Sequence, residues 1–191
     1  MEEVIGDIKS IRRREMCNDF IIARQKVEIW TKGVLRQIDR IKIDCSNIEE
    51  SEDSVKKWEH NVSRINDEHF LKNSINNAII WLEELNKYVE EIKNIYVELS
   101  NVQEIKDLRN MAEHEINYYR GEGHKQDKYL CKETNLTASE TGILNDEYLI
   151  GGRLSLSYVE TRFKQLDVII HNNNFTMTPF YMQKIFGVKL S

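Results

Sequence analysis

Proline is nearly absent: one residue in 191, alongside eight glycines. So few breakers argue against a chain of many short strands and favour an all-α fold. Cysteine occurs three times, as Cys17, Cys45 and Cys131, far apart and with no C-x-x-C pair. That odd, scattered set argues against a disulfide framework or a zinc site and fits reduced thiols in a cytoplasmic protein. No apolar run reaches membrane-spanning length, and the acidic N-terminus lacks the apolar core of a signal peptide. A basic excess is also missing. The net charge of −5 argues against a general nucleic-acid coating protein, though not against a local basic site. H-E-x-x-H, P-loop, G-x-S-x-G and carboxylate-rich metal patterns are absent, so no metal or cofactor is expected.

What the chain has is helical period. Charged residues make up 31% and apolar residues 40%, the balance of a helix-rich domain with polar outer faces. Met16, Phe20, Ala23, Val27, Trp30, Val34, Ile38 and Ile41 recur at threes and fours. They predict a first helix from near Glu2 to about Ile43, with a kink allowed at Gly33. Arg12, Arg13 and Arg14 form a basic cluster, read as a solvated surface or a phosphate contact. Residues 44–66 change character: 46–54 lacks a clean period and reads as a loop, 56–60 as a short helical turn, with Trp58 anchoring this crossover to the bundle. Leu71, Ile75, Ala78, Leu82, Leu85, Val89, Ile92, Tyr96 and Leu99 alternate four and three, a heptad-like seam that predicts one long second helix.

Ser100-Asn101-Val102-Gln103 has capping-box form and predicts a third helix from near Asn101 to a stop at Gly121. Its expected core stripe is Ile105, Leu108, Ala112, Ile116 and Tyr119. Residues 129–152 read as irregular, with Tyr148-Leu149-Ile150 a short extended piece. A second capping box at Ser157 opens a last main helix through Val159, Phe163, Leu166 and Ile170. Residues 172–191 read as a tail that packs on the bundle or on a partner. The whole chain, 1–191, reads as one domain.

The groups capable of chemistry gather on the third helix: Arg109, Asn110, His114 and Tyr118. Asn110, His114 and Tyr118 are four apart and share a face. Arg109 and His114 are five apart, so an ideal helix turns the second by about 140° and lifts it about 7.5 Å. The two point in different directions within one chain. A two-fold dimer pairing this helix with its copy would bring two arginines and two histidines into one composite site. Histidine exchanges a proton near neutrality, and arginine offers a charged planar fork to a phosphate. Together they suit RNA cleavage through the ribose 2′-hydroxyl, leaving a 2′,3′-cyclic phosphate. Tyr118, Arg120, His124 and Lys125 are expected to contact RNA. The alternative for Arg120, His124 and Lys125 is a solvated loop surface. An ordinary intrahelical ion pair between Arg109 and Glu113 is the alternative for the arginine.

Arg109-Asn110-Met111-Ala112-Glu113-His114 resembles the signature of the HEPN-domain family, an arginine followed after four to six residues by a histidine. Some members carry a tyrosine two residues after the histidine, whereas here Tyr118 follows at four. The resemblance implies an antiparallel helical bundle and a homodimeric, metal-independent endoribonuclease of toxin–antitoxin, defence or stress systems. It implies Arg109 and His114 as the catalytic pair, Asn110 as an orienting residue, and an antitoxin or regulatory protein as partner. Because family members also serve as silent modules, the rival expectation is a helical dimerisation or partner-binding module. Arg64-Ile65-Asn66-Asp67-Glu68-His69 repeats the bare spacing. The later copy is preferred, because the earlier one reads as a helix start with His69 among capping residues.

Overall fold

The computed structural model describes the backbone of residues 2–101, 103–172 and 175–186, and among these the side chains of 15–99, 105–111, 113–172 and 175–183. Two long antiparallel helices form the frame: α1, Glu2–Glu50, and α2, Ser54–Leu85. Ala23, Val27, Val34, Ile38 and Ile41 are fully buried, as their period requires. α1 runs on through Gly33. The arginines at 12–14 lie outside the described side chains.

The loop expected at 46–54 is only Ser51–Asp53, and the helical turn expected at 56–60 is part of α2. Asp53 caps α2, its Oδ1 accepting from the backbone N–H of Val55 at 2.8 Å. The apolar period fails here because polar residues occupy inward positions and find tertiary partners. Asp44 of α1 meets His60 of α2 at 3.0 Å, and Asp67 of α2 meets Arg40 of α1 at 3.0 Å. Trp58 is 66% exposed and is not a buried anchor of the crossover.

The long second helix is two helices. α2 ends at Leu85, and α3 spans Ile92–Asn101. Leu71, Ile75, Ala78, Leu82, Leu85, Val89, Ile92 and Leu99 are nevertheless all fully buried. The seam is continuous while the backbone is not. The break is stitched by the tail: Thr178 donates its N–H to the Tyr88 carbonyl at 3.0 Å and its hydroxyl to the Lys87 carbonyl at 2.6 Å. Glu90 N–H donates to the Thr176 carbonyl at 3.0 Å. The tail continues as α7, Pro179–Phe186, whose buried Tyr181 joins Phe20, Tyr88 and Phe175 in an aromatic cluster.

The third helix also divides, into α4, Gln103–Glu113, and α5, Glu115–Tyr119. The capping box at Ser100 lies outside the described side chains. Ile105, Leu108 and Met111 are buried on α4, and Tyr118 on α5. Ile116 and Tyr119, expected in the core stripe, are 61% and 71% exposed. The break at His114 rotates the buried face onto Tyr118.

An all-α fold is overturned by the segment that follows. β1 (Leu130–Cys131) pairs antiparallel with β2 (Leu136–Thr137). β3 (Thr141–Leu144), β4 (Glu147–Ile150) and β5 (Leu154–Ser155) form a three-stranded antiparallel sheet. The molecule is helix-rich with two small sheets. These strands are two to four residues long, too short for alternation to register. Asn145 and Asp146, at φ 51° and 62°, make the left-handed turn of the β3–β4 hairpin. α6, Leu156–His171, follows; its cap is Ser155, accepting from Tyr158 N–H at 3.0 Å, not Ser157. Val159, Phe163, Leu166 and Ile170 face the core as expected. Among the described residues no helix is long and apolar enough to cross a membrane.

Candidate active site

α4 packs mainly on α2, and the glycine turn after β4 touches it at one point. Gly151, at φ +60°, lies so close to Leu108 that a Cβ there would meet Leu108 Cδ2 at 2.1 Å. Leu108 is followed on α4 by Arg109 and Asn110. At the end of α4 the backbone of His114 departs from helix, with φ −114° and ψ 24°. Its N–H still donates to the Asn110 carbonyl at 3.2 Å, and its carbonyl accepts from Asn117 N–H at 2.9 Å. His114 is therefore a hinge between α4 and α5, not a mid-helix residue.

The loop after α5 folds back over the same face. Tyr118 donates its hydroxyl to the His124 carbonyl at 2.5 Å. The Gln126 side chain accepts from Gly123 N–H at 3.2 Å and donates to the Tyr118 carbonyl at 2.8 Å. Gly123 passes within 2.3 Å of Tyr118 Cδ1, measured from where a Cβ would stand. Lys125 takes a left-handed φ of 58° and pairs with buried Asp107 at 3.3 Å. Lys128 reaches the same carboxylate at 3.7 Å. Tyr118 also stacks on Tyr129, 4.7 Å between centroids at 16°. Burial first, then the Asp107 charge, holds the Tyr118 hydroxyl above its ordinary pKa.

The result is a cavity of about 490 Å³ lined by Asn110, His114, Tyr118, His124 and Lys125, with Asp107 and Asn117 beside them. Five of the seven residues singled out in the sequence meet here. The imidazoles of His114 and His124 have no hydrogen-bond partner among the described residues, and both are exposed. Arg109 and Arg120 are not part of the wall. Arg109 binds Glu113 at 2.8 Å and donates to Asn110 Oδ1 at 3.2 Å. The intrahelical ion pair is thus formed. Arg120 caps the C-terminus of α5 and is exposed. Asp107 was not anticipated. It was legible in the sequence, because 107, 110, 111, 114 and 118 continue one helical face.

The earlier Arg64…His69 copy lies inside α2, not at a helix start. Its members part company. His69 is exposed and meets Asn73 at 3.0 Å. Arg64 turns inward to Glu68 at 3.2 Å and Tyr148 at 2.7 Å, and also donates to Thr141. Glu68 accepts from both Tyr148 and Thr141, at 2.6 and 2.7 Å. Burial pushes the Glu68 carboxyl up, and burial lowers Lys72 nearby. This cluster clamps the β3–β4 hairpin to α2.

Among the described residues no group of three or more His, Cys, Asp or Glu is placed to hold a metal ion. Comparison with protein-family models, curated proteins and solved structures finds no match to this chain.

Proposed function

We propose that the chain is a metal-independent endoribonuclease centred on His114, acting in the cytoplasm as a homodimer. The observation that carries the reading is the shared cavity. An unpartnered imidazole faces solvent there beside an amide and an ammonium group, in a volume suited to a small-molecule-sized portion of substrate. His114 moves the proton of the ribose 2′-hydroxyl or of the leaving oxygen, Asn110 orients the substrate, and Arg109 stabilises the phosphate charge. The HEPN-like spacing of Arg109 and His114 supports the same assignment, and we extend the proposal to a role in toxin–antitoxin, defence or stress systems under an antitoxin or regulatory protein. Arg109 stands outside the cavity of its own chain, which favours a composite site with a second copy. Exposed Ile116 and Tyr119 on α5 offer apolar surface for that contact.

The test is single-stranded RNA incubated with the protein in EDTA, beside His114→Ala and Arg109→Ala. Cyclic-phosphate ends that disappear in both variants while the dimer persists are the expected result. Cleavage that survives both substitutions, or that needs magnesium, overturns the assignment.

A second reading, a catalytically silent partner-binding module, has an observation of its own. Val55, Trp58, Val62 and Ile65 are exposed on α2 at spacings of three and four, forming one apolar stripe.

A further inference from the structure

Cleavage by 2′-hydroxyl attack needs two proton movements, and His114 supplies one. The attacking oxygen must lose a proton and the departing 5′-oxygen must gain one. Arginine cannot provide the second, because it stays protonated throughout. Within the cavity wall, Tyr118 has committed its hydroxyl proton to a carbonyl at 2.5 Å, and Lys125 is held by Asp107 at 3.3 Å. Asn110 and Asn117 are amides with no acid proton to give.

His124 is the other group here whose residue type both gives and takes protons near neutrality. Its backbone is fixed from three sides, by the Tyr118 hydroxyl, by the Gln126 bridge between Gly123 and Tyr118, and by the tight passage of Gly123 over the Tyr118 ring. Its imidazole is left unbonded among the described residues and lines the same cavity as that of His114. A loop held this firmly, carrying a free imidazole, is how a reactive group is pre-organised.

We infer that His124 is the second proton-transfer residue, so that one chain holds both the acid and the base of the reaction. This rests on the ribonuclease reading above and changes what it needs from a dimer. One histidine removes the 2′-hydroxyl proton, the 2′-oxygen bonds to phosphorus, and the bond from phosphorus to the 5′-oxygen breaks. The other histidine gives its proton to that 5′-oxygen. The products are a 2′,3′-cyclic phosphate and a 5′-hydroxyl, and water returns the two imidazoles to their starting states. The charged groups facing the pair are Asp107 from α4 and Glu122 and Lys125 from the loop. The partner copy then contributes Arg109 alone.

The experiment compares ordinary RNA with RNA carrying a 5′-bridging sulfur at the cleaved linkage, whose thiolate leaves without a proton. Wild type, His114→Ala, His124→Ala and His124→Gln are assayed on both; the glutamine variant keeps a polar side chain for RNA contact and guards against a misfolded alanine variant. Each substitution is expected to slow ordinary RNA by about 10²–10⁴-fold. On the sulfur substrate the acid's variant recovers to within about tenfold of wild type and the base's variant does not. Rescue at one histidine position and not the other supports the pair and assigns the roles. Full-rate cleavage by His124→Gln, or rescue at neither or both positions, overturns it. A wild type that cleaves neither substrate overturns the ribonuclease reading along with it.

Discussion

Glu113 holds the guanidinium of Arg109 at 2.8 Å, one helical turn away. Each side chain is about a third exposed, so the pair contributes only about 0.3–0.5 kcal/mol. It is weak enough to give way to a phosphate. Glu113→Gln is therefore expected to leave the melting temperature nearly unchanged and to retain or raise cleavage. Arg109→Ala loses about 10²–10³-fold, the scale for one charge-stabilising donor. Initial rates and thermal unfolding of the two variants check this. A dead Glu113→Gln enzyme would show that the carboxylate, not the arginine, matters.

Removing the Tyr118 hydroxyl leaves its ring stacked on Tyr129 but releases the His124 carbonyl. Tyr118→Phe should cost about 1 kcal/mol, the usual net worth of such a bond. Amide exchange should quicken at Gly123–Lys125 while α1 and α2 stay protected. Unchanged exchange in the loop counts against its being held by this bond.

Gly151→Ala tests the contact of the glycine turn with α4. The new methyl would collide with fully buried Leu108 and lie 3.2 Å from the Ala138 carbonyl, at a φ of +60° that side chains rarely adopt. A loss of about 2–4 kcal/mol is expected from overpacking and backbone strain together. Urea denaturation measures it, and the residual activity reports whether α4 has moved.

Glu68 makes stability depend on pH. Burial raises its carboxyl above the ordinary value of 4.5, so the folded chain binds its proton more tightly than the unfolded chain. Stability from this group is fully present below that value and is lost as pH rises through the folded-state pKa. Arg64, Lys72 and Tyr148 are the titratable groups around it. Glu68→Gln should flatten the stability profile in the window above pH 4.5. It should also cost about 1–3 kcal/mol at neutral pH, because Arg64 loses its buried partner. Denaturant titrations across pH 4–7 decide; an unchanged slope excludes Glu68 as its source.

Ile116→Glu places a charge on the exposed surface of α5. Sedimentation should show the dimer dissociating while the circular dichroism spectrum holds, and cleavage should fall by about 10²–10³-fold as Arg109 of the second copy is lost. A monomeric variant at full rate would remove the composite site.

The amino-acid sequence by itself determined which faces of α1, α2, α3 and α6 are buried, though not that of α5, where Ile116 and Tyr119 are exposed. The stripes through Ala23 and Ile41, Leu71 and Leu99, and Val159 and Ile170 are all in the core, because helical period is a property of neighbouring residues and is readable within a short window. The shared face of Asn110, His114 and Tyr118 was legible for the same reason. Only the tertiary structure decided where those helices stop. The break after Leu85 depends on Thr176 and Thr178, roughly 90 residues on, and the heptad passes over it without a signal. The inward polar positions Asp44 and Asp67 concealed the helix continuing past Ile43, since their partners lie on the opposite helix. Apart from the extended piece at 148–150, the sheets escaped because strands of two to four residues are shorter than the window over which alternation registers. The same division runs through the site. Local spacing placed His114 and turned Arg109 away from it, but closure of the cavity by His124 and Lys125 follows from a loop folding back through the bonds of Tyr118, Gln126 and Asp107. Those bonds join groups separated in chain order, and periodicity carries no record of them.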